Sequence, residues 1–228
     1  MSAINQILEA EELSVVIVGS FNPAIFHPEW FLRQKLISDQ DAKEARINVV
    51  SSQVTDVQLC GIKLVCFPDR FSLGTSNISH AARIQDLLVQ IFTLLPHTPI
   101  KACGINLVAH FQVNSVEYWH KIDHTLAPKQ LIWNGLFERP GMQSLVIKAP
   151  REGGFPGEIN IAVEPLPQYP PWIVVVRSNY HYGLPADSVH VGATELLLTF
   201  LKREWDTACG MARRVANTIL DKIKPDHG

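Results

Sequence analysis

Cysteine is scarce and unpatterned in this chain of 228 residues. The four cysteines, Cys60, Cys66, Cys103 and Cys209, form neither a CxxC pair nor a zinc-ribbon spacing. That excludes a thiol-ligated metal knuckle and a disulfide scaffold, and leaves them as reduced, buried, small apolar residues. Charge of one sign is lacking too, since 20 Lys and Arg face 22 Asp and Glu for a formal net charge of −2. No positive field gathers phosphates, so nucleic acid is unsupported as a partner, and no acidic excess holds the chain unfolded. No apolar run approaches the roughly 20 residues that span a bilayer. The N-terminus carries Glu9, Glu11 and Glu12 and lacks the basic start and apolar stretch of a signal peptide, which points to the cytoplasm and away from a membrane.

Catalytic signatures are missing as well. There is no Gly-x-Ser-x-Gly elbow and no Walker loop, and Gly153-Gly154 lacks both the lysine and the following helix that phosphate cradling needs. Cys103 and His110 are near in sequence, but their odd spacing on one strand sends them to opposite faces.

Apolar material is plentiful, at 46% of the chain against 18% charged, enough for one large core or two small ones that share an interface. Val15 to Val18 form a β-branched run that ends at Gly19 and Asn22-Pro23, and Ser14 to Phe21 therefore reads as a strand. Pro28 to Ile37 reads as a short helix, Ile47 to Val57 and Leu59 to Phe67 as strands, and Phe71 to Leu73 as another after the Pro68-Asp69 turn. Ile84, Leu87, Leu88, Ile91, Phe92 and Leu95 recur on one helical face between an N-cap at Ser79 and a stop at Pro96.

The same order then returns. Gly104 to Val113 is a strand, Ser115 to Thr125 a short helix, Met142 to Lys148 and Glu158 to Val163 the arms of a hairpin, Trp172 to Val176 a strand, and Thr194 to Ile223 the longest helix. Overlaying Ile62–Leu95 on Pro171–Glu204 without a gap matches Leu64–Phe67 with Ile173–Val176, Phe71 with Tyr180, Gly74 with Gly183, and Leu87-Leu88 with Leu196-Leu197. Upstream, Phe21 through Trp30 matches His110 through Trp119. The expectation is an α+β protein of two diverged repeats, 1–98 and 99–228, each made of antiparallel strands with a short helix and a long closing helix in a single two-lobed domain.

The opening strand with Asn22-Pro23 through Trp30-Phe31, the middle strand Gly104 to Val113 and the long last helix resemble a sporadically distributed bacterial family whose members have no assigned function. That family's middle strand usually carries a Gly-Leu-Arg-Tyr-type segment; here Gly104-Ile105-Asn106-Leu107 stands without the Arg or the Tyr. The resemblance implies an architecture and no catalytic residue. By element order alone the two units are also similar to a TATA-binding-protein-like or helix-grip arrangement.

Four segments carry candidate chemistry. Val18-Gly19-Ser20-Phe21-Asn22-Pro23 with His27 is similar to the phosphate-binding first loop of nucleotidylyltransferases. The second histidine of that pattern is absent at Pro28-Glu29-Trp30, and the alternating strands and helices of a parallel nucleotide-binding sheet are missing. Glu117, His120 and His124 share one helical face, and a solvated face is the better reading than a metal site. Tyr180, His181 and Tyr182 close a buried strand, their first-half counterpart contains Arg70, and with Trp119 they would line a groove between the repeats, although simple edge packing of Tyr180 and Tyr182 is the better reading of those two alone. On the last helix, Leu197, Phe200 or Leu201, Trp205, Ala208, Met211 or Ala212, Val215 and Ile219 form an apolar stripe. Its small residues Ala208, Gly210 and Ala212, with Trp205, are expected to meet a second subunit unless the segment Ile4 to Leu13 covers them.

Together these readings favour a binding or protein-interaction module that works through the groove or sheet surface between its repeats. The expected partners are a second copy or another protein, with a small ligand open. The sequence asks for no cofactor and no metal. A nucleotidyltransferase-like enzyme built on Gly19 to Pro23 is the alternative.

Overall fold

The computed structural model describes residues 7–130, 132–151, 154–166, 170, 172–184 and 192–223, with side chains described from Glu11 onward. Ile4, the hairpin residues Glu152 and Gly153, and Lys224 lie outside the described residues. Nine strands form one antiparallel sheet. They are β1 (Ile7–Gly19), β2 (Arg46–Val50), β3 (Thr55–Leu59), β4 (Ile62–Phe67), β5 (Arg70–Thr75), β6 (Ile100–Val113), β7 (Leu145–Pro150), β8 (Gly157–Pro165) and β9 (Trp172–Gly183). Their order across the sheet is β2-β3-β4-β5-β1-β6-β9-β8-β7, so the long strands β1 and β6 are the central pair. The helices are α1 (Pro28–Arg33), α2 (Asp39–Glu44), α3 (Ala81–Leu94), α4 (Val116–Leu126) and α5 (Ala193–Ile223). No helix among the described residues is long and apolar enough to cross a membrane.

Local chemistry sets the element boundaries. The helix expected over Pro28 to Ile37 stops at Arg33, since Lys35 takes a φ of 58°, and a second helix starts where Ser38 and Asp41 form a reciprocal capping box. The strand expected over Ile47 to Val57 is broken by a turn in which Ser51 binds the backbone of Val54. Strands β3 and β4 are joined at Cys60-Gly61, with φ of 52° and 75°, the positive pair that suits the twist of a two-residue hairpin. A Cβ on Gly61 would lie 2.4 Å from the His80 ring, so glycine is required there twice over. Ser79 is not the N-cap of α3. Asn77 caps a 3-10 turn, Ile78–His80, that runs straight into the helix. For α4 the spacing reads correctly, and Ser115 accepts the Tyr118 amide as its N-cap.

Burial alternates along the strands, which divides the sheet into two unlike faces. Val57, Leu64, Leu73, Val15, Ile17, Ile105, Leu107, Phe111 and Val176 enter one core with Ile84, Leu88 and Phe92 of α3 and Ile122 of α4. Each such side chain contributes about 1.5–3 kcal/mol on leaving water. The 31-residue α5 closes this face, lying across β6 and β9 and touching α3 and α4.

The stripe on α5 is covered from within the chain. Trp205 is 4% exposed, Ala208 1% and Ala212 0%, so these three are core residues and not a waiting subunit interface. The stripe runs on to Ala216, Leu220 and Ile223 because the helix crosses the central sheet and then reaches α4, where Lys121 donates to the Ile223 carbonyl at 2.7 Å. Gly210 is half-buried beside Arg214 and outside the stripe. The N-terminal segment contributes to the cover through Glu11 on β1, which accepts a two-pronged hydrogen bond from Arg213 of α5.

Candidate functional site

The other face of the sheet carries a row that runs across all nine strands and is polar on every strand but β5, where it passes through Gly74. Following the pairing from one edge, Arg46 lies opposite Gln58, Gln58 opposite Lys63, and Lys63 opposite Gly74. Gly74 lies opposite Ser14, Ser14 opposite Asn106, Asn106 opposite Asn179, Asn179 opposite Asn160, and Asn160 opposite Lys148. Eight interstrand steps of about 4.8 Å make this row roughly 38 Å long. At its centre the Asn179 amide donates to the Asn106 carbonyl oxygen at 2.5 Å, and Asn106 donates in turn to the Ser14 backbone carbonyl at 3.4 Å.

Small residues keep the middle of this face low. A shallow cavity of about 220 Å³ is lined by Val16, Val18, Ala102, Gly104, Asn179 and His181. A second, of about 410 Å³, is lined by Glu12, Ser14, Gln58, Lys63, Gly74 and Val108. They flank the place where β1 meets β6. A Cβ on Gly104 would stand 3.2 Å from the Asn179 amide nitrogen, so glycine there leaves that amide undisturbed.

The cations of this face are largely answered by carboxylates. Lys63 pairs with Asp56 at 3.6 Å, Arg177 with Glu164 at 3.2 Å and Lys148 with Glu158 at 2.5 Å. Hydrogen bonds from Lys148 and then Asn160 hold the Glu158 carboxyl below its ordinary range, so it is ionised at neutral pH. The surface thus offers amides, hydroxyls and apolar patches in a nearly neutral field. That chemistry suits a polar, uncharged backbone or an amide-bearing surface rather than a chain of phosphates.

Of the residues singled out from sequence, His181 and Arg70 belong to this face. They lie on β9 and β5, with β1 and β6 between them, His181 opposite Gly104 and Arg70 opposite Val18. Tyr180, Tyr182 and Trp119 do not line a groove, because alternation turns both tyrosines into the helix-covered core and α4 buries Trp119 at 6% exposure. There Tyr182 stacks on Phe200 at 4.8 Å. Burial raises its hydroxyl pKa, which leaves it protonated.

Sequence reading missed the residue these tyrosines surround. Arg151, just beyond β7, has a side chain only 1% exposed. Its guanidinium lies 4.4 Å from the Tyr180 ring centre and 5.0 Å from that of Phe200. It contacts Glu204 at 3.1 Å, and Tyr180 donates its hydroxyl to the same carboxylate at 3.0 Å. Among the described residues Nε and Nη1 of Arg151 find no partner. The cluster ties the β7–β8 hairpin to β9 and α5.

The other chemical candidates are engaged in structure. The amides of Gly19, Ser20 and Phe21 donate to the carbonyls of Asp69, Pro99 and Pro68, and a Cβ on Gly19 would meet the Pro99 oxygen at 2.3 Å. His27 accepts the Glu29 amide through Nδ1 as the N-cap of α1. Asp123 accepts from Lys129 and from the Met142 amide, both at 2.8 Å, while the His120 and His124 rings stack 6.4 Å apart. Among the described residues no group of three His, Cys, Asp or Glu comes together to hold a metal. Burial pushes the Cys66 and Cys209 thiols up to about 12 and raises Cys103 further. The Cys60 thiol is raised as well, first by burial and then by its hydrogen bond to Asp41, so none is a thiolate nucleophile at neutral pH. Compared with known proteins, the chain matches no family model and no curated protein.

Proposed function

We propose that this chain is a non-enzymatic protein-binding module, built from two diverged repeats, that takes its partner on the open sheet face across the junction of β1 and β6. The observation that carries this reading is the polar row through Ser14, Asn106 and Asn179, uncovered by any helix among the described residues and bordered by the two shallow cavities. Amide side chains held by one another and flanked by valines suit a backbone or side-chain amide of another protein.

The strand order supports the repeat reading. Outward from the centre it runs β1, β5, β4, β3 on one side and β6, β9, β8, β7 on the other, the same chain order twice. Registers agree: Phe71 pairs with Ile17 as Tyr180 pairs with Ile105, and Leu73 with Val15 as Tyr182 with Cys103. Counting on from Ile17 and Ile105 sets Phe31 against Trp119, both buried, and Trp30 against Tyr118, both half-buried. This is one residue away from the Trp30–Trp119 match drawn from sequence. The match of Leu64–Phe67 with Ile173–Val176 has no such support, because β4 is a separate strand beyond a turn while β9 runs unbroken. Strand β2 has no counterpart beside β7.

The nucleotidyltransferase alternative draws no support, because amides already paired to carbonyls are unavailable to a triphosphate. Adding ATP and magnesium is therefore expected to leave the melting temperature unchanged, whereas ligand at about 100 times its Kd adds about 2.7 kcal/mol. The module itself is tested by comparing proteins captured from native extract by the wild type, by Asn179→Arg and by a helix-layer control, Lys202→Glu. A partner retained by the wild type and the control but lost by Asn179→Arg supports the reading. An identical set of captured proteins for all three rejects it.

A further inference from the structure

The two edges of the sheet are unlike. Strand β2 carries a register break between Ile47 and Val49, a bulge of the kind that blunts an edge against pairing. Strand β7 pairs with β8 through six consecutive residues without a break, and among the described residues nothing pairs with its outer side. Val146 is 63% exposed and Ile147 54%, and as neighbours on a strand they project to opposite faces of the sheet.

An apolar arm leads directly into this edge. Between α4 and β7 the chain is held by Asp123, which accepts from Lys129 near the start of the arm and from Met142 near its end. That carboxylate and the Lys129 ammonium are 7% and 4% exposed. Ile132 is 60% exposed, Trp133 43%, Leu136 66% and Phe137 58%. Trp133 and Phe137 stack at 6.4 Å and border a cavity of about 460 Å³ that reaches Ser144, the residue before β7. The arm is thus anchored at both ends and carries its large apolar residues outward, where a monomer gains nothing from them.

We propose that β7 and this arm form a two-fold interface with a second copy of the chain, the two β7 strands running antiparallel so that one sheet continues into the next. Area selects the occupant. At these exposures six large apolar side chains offer on the order of 100 Å² each, and with the strand backbone they approach the roughly 800 Å² per partner of a standard interface. An extended peptide added to β7 would cover Val146 and Ile147 and leave the arm in water. A second copy brings a strand and an arm at once, and a two-fold makes the same patch serve on both sides. Charge agrees, because Lys148 at the middle of the edge is neutralised by Glu158 of its own chain, which removes the like-charge repulsion of antiparallel self-pairing.

Sedimentation velocity on the full chain at micromolar concentration tests this. The wild type is expected to sediment as a dimer. Val146→Lys on the edge and Leu136→Ser on the arm are each expected to give a monomer that still melts cooperatively, while Ile47→Lys on the opposite edge stays dimeric. Should one of these variants lose its cooperative melt, the other decides. A monomeric wild type overturns the proposal, as does a dimer that survives both substitutions.

Discussion

One face of the sheet is sealed and the other is left open, and the two were built by different rules. On the sealed face most alternate residues of β1, β6 and β9 are aliphatic or aromatic, and α5 lies over them with Phe200, Trp205, Ala208 and Ala212 fully or nearly buried. On the open face the same strands present Ser14, Asn106 and Asn179 in one row, with Val16, Val18 and Gly104 beside them. This face is amide-rich, nearly neutral and low at its centre, and the proposed binding role rests on that contrast.

Stability measurements sharpen that contrast. The largest loss is expected for Phe200→Ala, which removes the ring stacked on Tyr182 and beneath Arg151; denaturant titration should show about 3–5 kcal/mol. Asp123→Ala strands the buried Lys129 ammonium and should cost about 3 kcal/mol, much of it recovered when Lys129 is also made Met. Ser115→Ala removes the cap of α4, with an expected loss of about 1 kcal/mol in thermal unfolding.

Alkaline pH acts through the sealed face. The Cys66 thiol is raised from 9.0 to about 12 by burial, so between these values the unfolded chain loses a proton that the folded chain keeps. Stability should therefore fall as pH rises above about 9, and Cys66→Ala should flatten that fall in pH-dependent melting. The smallest effect is expected on the open face. His181→Ala should change stability by less than about 0.5 kcal/mol, and a loss as large as that of Phe200→Ala would break the distinction between the faces.

Much of the fold was legible because period and punctuation carry it. The apolar stripe of α3 and the long α5 follow from spacing that no tertiary contact overrides. The errors share a physical origin in strand direction and register. The run Trp172 to Val176 reads as a short strand, yet β9 continues to Gly183, because Asn179 and His181 are polar residues facing the open side and not the end of an element. For the same reason Tyr180 and Tyr182 read as cleft residues and are core. The row through Asn106 and Asn179 could not be read at all, since it depends on which strands are neighbours. The one signal available was an asparagine at a polar position of β6 and another on β9. The α5 stripe was legible as apolar, but its cover lies on β6, far away in sequence.

The most direct test of the central claim is hydroxyl-radical footprinting of the protein alone and with its captured partner. Protection on binding is expected at Val16, Val108 and His181 of the open face, with Lys202 and Arg214 on the outer side of α5 unchanged. Protection confined to α5, with Val16 and His181 as reactive as in the free protein, would contradict the account.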